Sequence, residues 1–155
     1  MKLKIRIRRY NPTEVETAEP YIQAYNLDVV EGMTVLEALL KIVDTDDPTL
    51  GFRRSCRSAI CGSCAVRVNG FTKLACNSQI IPLWRKHGEL LIEPIANHSV
   101  LKDLIVDFNP FWRKVNKVSP FLTPLDETVQ PSMTRADQEA IDKSQGCIMC
   151  GSCNS

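Results

Sequence analysis

The sequence predicts an α+β fold, a small mixed sheet with one helix across a face, followed by a helical segment. Three observations carry this. Leu3, Ile5 and Ile7 alternate with charges from Met1 to Arg9, the period of a half-buried strand. Asn69-Gly70 stands between two strand-like runs, a strong hairpin signal. Sheet residues end near Pro94 and helices take over, which sets a boundary at about residue 105.

The elements follow in order. The first strand is basic enough to invite comparison with a transit peptide, but such a peptide is amphipathic at helical period and rich in Ser. After a polar loop, Tyr21 to Val29 places Tyr21, Tyr25, Leu27 and Val29 on one face, a second strand and hairpin partner of the first. Thr34-Val35-Leu36-Glu37 has the form of a capping box, opening a helix with Val35, Leu36, Leu39, Leu40 and Val43 on one side and ending by Asp44. From Gly51 to Cys64 there is no periodicity, only a concentration of Arg53, Arg54, Cys56, Arg57, Cys61, Gly62 and Cys64. This reads as a loop built around something. Ala65–Val68 and Phe71–Cys76 form the hairpin, and Glu89–Glu93 is a further strand before Pro94. A helix from about Phe108 to Val118 follows, with Asp107 or Asn109 as its cap and Pro110 in its first turn. A Pro-rich stretch from Ser119 to Pro124 separates it from another helical candidate, Thr134 to Lys143.

Composition narrows the function. Nineteen Lys+Arg against eighteen Asp+Glu leave a net charge of +1, which removes the electrostatic case for nucleic acid as the main partner. No run approaches the roughly 20 apolar residues of a membrane-spanning helix. Seven cysteines cannot all pair within the chain, so thiolate chemistry or metal ligation is the better reading.

Spacing divides the seven into two sets. Cys56-x4-Cys61-x2-Cys64, with Cys76 eleven residues on, matches the plant-type [2Fe–2S] pattern. Such an oxidised cluster with four thiolates carries a formal charge of about −2, so it needs many hydrogen-bond donors when buried. A wrapping loop supplies backbone N–H groups, and Gly62 and Ser63 leave little side chain in the way. Arg53, Arg54 and Arg57 can raise the potential above the roughly −400 mV of plant-type clusters, or form a solvated or docking face. Structural zinc also takes four cysteines, but as two close pairs in sequence rather than three on one loop and a distant fourth. Cys147-x2-Cys150-x2-Cys153 repeats the first three positions of the bacterial C-x2-C-x2-C-x3-C-P run, and the fourth is not present. His87 and His98 lie in turn-like contexts without partners at ligand spacing, and read as surface or structural residues. Trp84, Phe108, Phe111 and Trp112 read as core or interface rather than as a stacking platform. With no phosphate loop, nucleophile elbow or carboxylate pair, the sequence offers electron transfer without a catalytic substrate site.

Arg54-Ser55-Cys56-Arg57, Ile60-Cys61-Gly62-Ser63-Cys64-Ala65, Leu74-Ala75-Cys76, Lys102-Asp103-Leu104-Ile105-Val106-Asp107 and Gly146-Cys147-Ile148-Met149-Cys150-Gly151-Ser152-Cys153 together resemble the iron–sulfur subunit of succinate dehydrogenase and fumarate reductase. The resemblance covers essentially the whole chain. It implies a β-grasp [2Fe–2S] ferredoxin-type domain at 1–105 and the N-terminal part of a helical [4Fe–4S] ferredoxin-type domain at 106–155. It implies Cys56, Cys61, Cys64 and Cys76 as [2Fe–2S] ligands, and Cys147, Cys150 and Cys153 as three of four [4Fe–4S] ligands, the fourth supplied elsewhere. The family's [3Fe–4S] ligands and second cysteine run are absent, segment 126–146 has less of the pattern, and Pro110 is an unusual choice early in its helix. The expectation is a truncated chain, whether a fragment or one half of a split subunit. The implied partners are an FAD-containing flavoprotein, quinone-binding membrane anchor subunits and a separate chain carrying the other half. The implied location is peripheral, on the cytoplasmic face of a bacterial or archaeal inner membrane, with the matrix side of the mitochondrial inner membrane as the alternative. A thiol-linked fumarate reductase subunit is the nearest alternative. A free [2Fe–2S] carrier is the other, though a shuttle usually needs a strongly charged docking face.

Overall fold

The computed structural model describes residues 1–13, 19–120 and 132–154. They divide into two compact units, Met1–Asp107 with Met149–Ser155, and Phe108–Ile148.

The first unit is built on a five-stranded mixed sheet. Strands β1 (Lys2–Arg9) and β2 (Tyr21–Asp28) pair antiparallel, with Leu3 opposite Leu27 and Ile5 opposite Tyr25. Helix α1 (Val35–Thr45) follows, then β3 (Ala65–Val68) and β4 (Phe71–Leu74). Helix α2 (Ile80–His87) precedes β5 (Leu90–Glu93), which enters the sheet parallel to β1 and antiparallel to β3. The order β2-β1-β5-β3-β4 with α1 across one face is the β-grasp arrangement, so the α+β class holds.

Alternation places the core. Leu3, Ile5 and Ile7 are buried with Leu27, Val66, Val68, Leu90 and Ile92, while Lys2, Lys4 and Arg8 face out. Helix α1 buries Val35, Leu36, Ala38, Leu39 and Ile42, and leaves Leu40 and Val43 only partly covered. The buried stripe runs at i, i+3, i+4 and i+7 from Val35, so position on the helix outweighs side-chain bulk in choosing Ala38 and Ile42. The capping box is present: Glu37 N–H donates to Thr34 Oγ1 at 3.2 Å and Thr34 N–H to Glu37 Oε2 at 2.7 Å. At Asn69-Gly70 both residues have positive φ, 50° and 83°, the geometry of a two-residue hairpin turn. Tyr21 departs from its expected face: it lies at the end of β2 and is exposed.

Three expectations are corrected. Helix α2 is not legible as a hydrophobic stripe because it is short and begins Ile-Ile-Pro; its signals are Gly88 at φ 73° just past its end and Arg85, Lys86 and His87 in its last turn. His87 is therefore helical rather than in a turn. Sheet structure also does not end near Pro94, since β6 (Val100–Lys102) and β7 (Ile105–Val106) form a separate hairpin. Strands of three and two residues are too short to show alternation. In the second unit, α3 (Asn109–Val118) has Phe108 at its N-cap position with no side-chain cap bond, in place of the expected Asp107 or Asn109, and Pro110 in its first turn. Phe111 meets Phe108 and Trp112 edge-on at 5.7 and 5.3 Å. Helix α4 (Arg135–Gln145) opens with a capping box, Thr134 and Asp137. Phe121 to Pro124 of the Pro-rich stretch, and residues 14–18 of the polar loop, lie outside the described residues.

A buried polar cluster joins the pieces. Arg9, 4% exposed, donates from Nε to Asp103 Oδ1 at 2.8 Å, and its Nη atoms reach Asp47, Gln23, Tyr25 and Thr49. Asp103, 1% exposed with φ 49°, also accepts from the backbone N–H of Tyr10 and of Gly51. Arg9→Met would leave these carboxylates buried without their cation, and is expected to lower stability by about 3–5 kcal/mol in urea unfolding. Burial works against ionisation of Asp47, yet hydrogen bonds from Thr49, Tyr25 and Arg9 hold its carboxyl far below the usual carboxylate range. A depressed carboxyl contributes stability that is present above its unfolded pKa near about 4 and is lost as pH falls toward the folded value. The urea midpoint is expected to drop between pH 5 and pH 2, less so in Asp47→Asn.

Candidate metal centre

The loop from Gly51 to Cys64 has no regular structure and is fixed at both ends. At its start, Gly51 N–H donates to Asp103 and Leu104 N–H to Gly51 carbonyl oxygen. At its end, Cys64 carbonyl oxygen accepts from Ala75 at 3.0 Å, joining the loop to the 3₁₀ turn Ala75–Asn77 that carries Cys76. That turn is held in turn by α1: Val35 N–H donates to Ser78 carbonyl oxygen, and Ile80 N–H to Met33 carbonyl oxygen. The sheet edge and the helix N-terminus thus deliver the fourth cysteine to the first three.

Within the loop, Arg57, Ala59 and Gly62 adopt left-handed φ values of 59°, 59° and 71°. Two of these are not glycine, at a cost on the order of 1–2 kcal/mol each. The left-handed turns aim backbone N–H groups at sulfur: Ser58 at Cys56 Sγ (3.4 Å), Cys61 at Cys56 Sγ (3.3 Å), Cys56 at Cys61 Sγ (3.5 Å) and Ala59 at Cys76 Sγ (3.3 Å). An anion-cradling backbone is what an electron-rich sulfur cluster requires.

The four thiols meet in twos. Cys56 and Cys61 share reciprocal N–H···S contacts, and Cys64 lies beside Cys76. Among the described residues no group of three or more His, Cys, Asp or Glu side chains is placed to hold a single metal ion. An all-sulfur donor set in two pairs suits a cluster with two metal positions. The pairs differ in surroundings. Ser63 and the N–H groups of Cys56 and Ser63 bring the Cys61 thiol down to about 6, whereas burial pushes the Cys64 thiol up to about 11. Cys56 and Ile60 face solvent, as do Arg53, Arg54 and Arg57, and a cleft of about 220 Å³ lined by Leu36, Leu40, Arg57 and Cys76 opens beside the turn.

The second set is placed differently. Cys147 belongs to the second unit, while Cys150 and Cys153 lie on the terminal segment of the first. Cys150 is half-buried with Sγ 3.1 Å from Ser152 Oγ, Cys153 is exposed, and Asn97 Nδ2 donates to Asn154 carbonyl oxygen at 2.9 Å. His98 Nδ1 donates to Ala96 carbonyl oxygen at 2.8 Å, and the His87 ring lies 5.9 Å from Phe71.

Residues 4–113 match the family model of the 2Fe-2S iron-sulfur cluster binding domain. The chain belongs to that family. It is similar to the 8-methylmenaquinol:fumarate reductase iron-sulfur subunit of Wolinella succinogenes, 41% identical over 86% of this chain and 44% of that one. It is also similar to the mitochondrial succinate dehydrogenase (ubiquinone) iron-sulfur subunits of Oryza sativa, 37% identical over 96% of this chain and 53% of the relative, and of Dictyostelium discoideum, 35% over 98% and 54%. Among solved structures, a chain of the Mycobacterium smegmatis Sdh1 complex in the apo form superposes with a TM-score of 0.83 at 25% identity, covering 99% of this chain and 62% of that one. This chain spans about half the length of the curated relatives it matches.

Functional residues that sequence reading missed are Arg9 and Asp47. Arg9 is the last of a run of exposed cations by pattern, and its one signal is that it continues the odd-numbered, inward-facing positions of β1. Thr34→Ala, which removes the cap from the helix abutting the Cys76 turn, is expected to cost about 1 kcal/mol in thermal or urea unfolding.

Proposed function

We propose that this chain relays electrons as the iron–sulfur subunit of a succinate:quinone or quinol:fumarate oxidoreductase. Cys56, Cys61, Cys64 and Cys76 would hold a [2Fe–2S] cluster, which supplies one-electron chemistry when bound. The observation that carries this is the pairing of four cysteines under converging N–H donors, inside the region that matches the family. The protein's part is to orient the thiols, supply donors to sulfur and exclude water around buried Cys64. Cys147, Cys150 and Cys153 would contribute three ligands to a [4Fe–4S] cluster, its fourth ligand coming from elsewhere, and a [3Fe–4S] cluster would have no ligands in this chain.

The names of the relatives carry fumarate with 8-methylmenaquinol, and succinate with ubiquinone, and each is called a subunit; the partners proposed are a flavoprotein that exchanges electrons with succinate or fumarate, and a membrane anchor carrying quinone. Among the described residues no helix is long and apolar enough to cross a membrane. The attachment proposed is peripheral, through such an anchor. The domain division proposed is a [2Fe–2S] domain to about residue 105 and the beginning of a helical [4Fe–4S] domain after it.

The purified chain, reconstituted anaerobically with iron and sulfide, is expected to be brown, with equal iron and labile sulfide and the EPR signal of a reduced [2Fe–2S] cluster. Cys64→Ser should abolish that signal, and Cys147→Ser should leave it unchanged. A colourless, zinc-loaded protein would overturn the first assignment; a robust [4Fe–4S] signal from the chain without a partner would overturn the second.

A further inference from the structure

Gly62 lies between two of the paired cysteines, is buried, and has φ 71°. A Cβ added there would stand 2.5 Å from Cβ and 2.7 Å from Cα of Cys150, and 3.1 Å from its backbone nitrogen. The first two distances are below any real Cβ contact and the third is tight, and the obstructing atoms are backbone or fixed to it, so neither side can yield by rotating. Cys150 thus rests directly on the Cys61–Cys64 turn, although 88 positions of sequence separate it from Gly62. The segment has a second anchor, where Asn97 Nδ2 donates to Asn154 carbonyl oxygen.

We propose that Gly62 is a positioning residue that couples the two cysteine sites. Its missing side chain brings the backbone between two thiolates of the first set into contact with a cysteine of the second. This rests on the reading of both sets as cluster ligands. Iron–sulfur clusters held at the two sets would supply one-electron exchange, with no bond made or broken and no proton moved. What this chain's own residues supply between the sets is the Gly62 backbone, its non-bonded contact with Cys150, and the Cys150 side chain. Glycine meets two separate demands here, the left-handed φ and the absence of a Cβ.

The two demands can be separated. Asn tolerates left-handed φ far better than Ala but carries the same Cβ, so Gly62→Asn and Gly62→Ala are expected to behave alike if contact is what counts. Gly32→Ala is the strain-only control, because Gly32 has φ 81° and open space where its Cβ would go. In the reconstituted full chain, amide hydrogen exchange should show loss of protection over Cys150–Asn154 in both Gly62 variants and not in Gly32→Ala, with the [2Fe–2S] absorbance retained. In the assembled complex, the magnetic interaction between the reduced [2Fe–2S] cluster and its neighbour, read by EPR relaxation, should be lost in the Gly62 variants. Retained protection and interaction in either Gly62 variant would overturn the proposal, as would rescue by Asn or an equal loss in Gly32→Ala. Failure of the ligand reading shows separately, as the unsubstituted chain lacking [2Fe–2S] absorbance.

Discussion

The buried guanidinium of Arg9 is the interaction on which the first unit depends. Its partners come from three stretches of chain: Gln23 and Tyr25 of the neighbouring strand, Asp47 and Thr49 beyond the helix, and Asp103 in the turn of the small hairpin. One cation between two carboxylates leaves a formal charge of −1 away from water, a state tolerable only because further donors complete it. Those donors are structural groups in their own right. Gly51 N–H, at the mouth of the cysteine loop, is one, and Tyr10 N–H at the end of the first strand is another. The ion cluster therefore sets where the loop begins.

Between its anchors the loop trades backbone strain for sulfur contacts. Left-handed Arg57 and Ala59 are unfavourable alone, and persist because the N–H groups they turn inward find sulfur. The four thiols are unequal before any metal arrives. Cys61, under hydrogen-bond donors near the surface, is held toward the thiolate, and Cys64, in the core, toward the thiol. A cluster bound across such pairs would have one edge toward solvent and one toward the sheet, and the exposed edge carries the arginines.

Among the described residues the second cysteine set has no comparable enclosure. Its members are divided between the two units, and the helices of the second unit have few buried residues among those described. This chain spans about half the length of the relatives it matches. Among the described residues, the groups that fix the first cysteine loop come from one sheet, one helix and one ion cluster.

Much of this was legible in local pattern. Alternation from Leu3 to Ile7, the Thr34–Glu37 capping box, the Asn69-Gly70 turn and the cysteine spacings are each encoded within a few residues, where covalent geometry ties sequence to conformation. Helix α2 and the β6–β7 hairpin escaped because they are too short for a period to register; caps and a single buried Asp103 hold them instead. Arg9, the pairing of Cys64 with Cys76, and the meeting of Gly62 with Cys150 lie further still from what spacing can express. Each joins groups distant in the chain, and burial alone turns a surface-like arginine into a keystone and an ordinary loop glycine into a contact that admits no side chain.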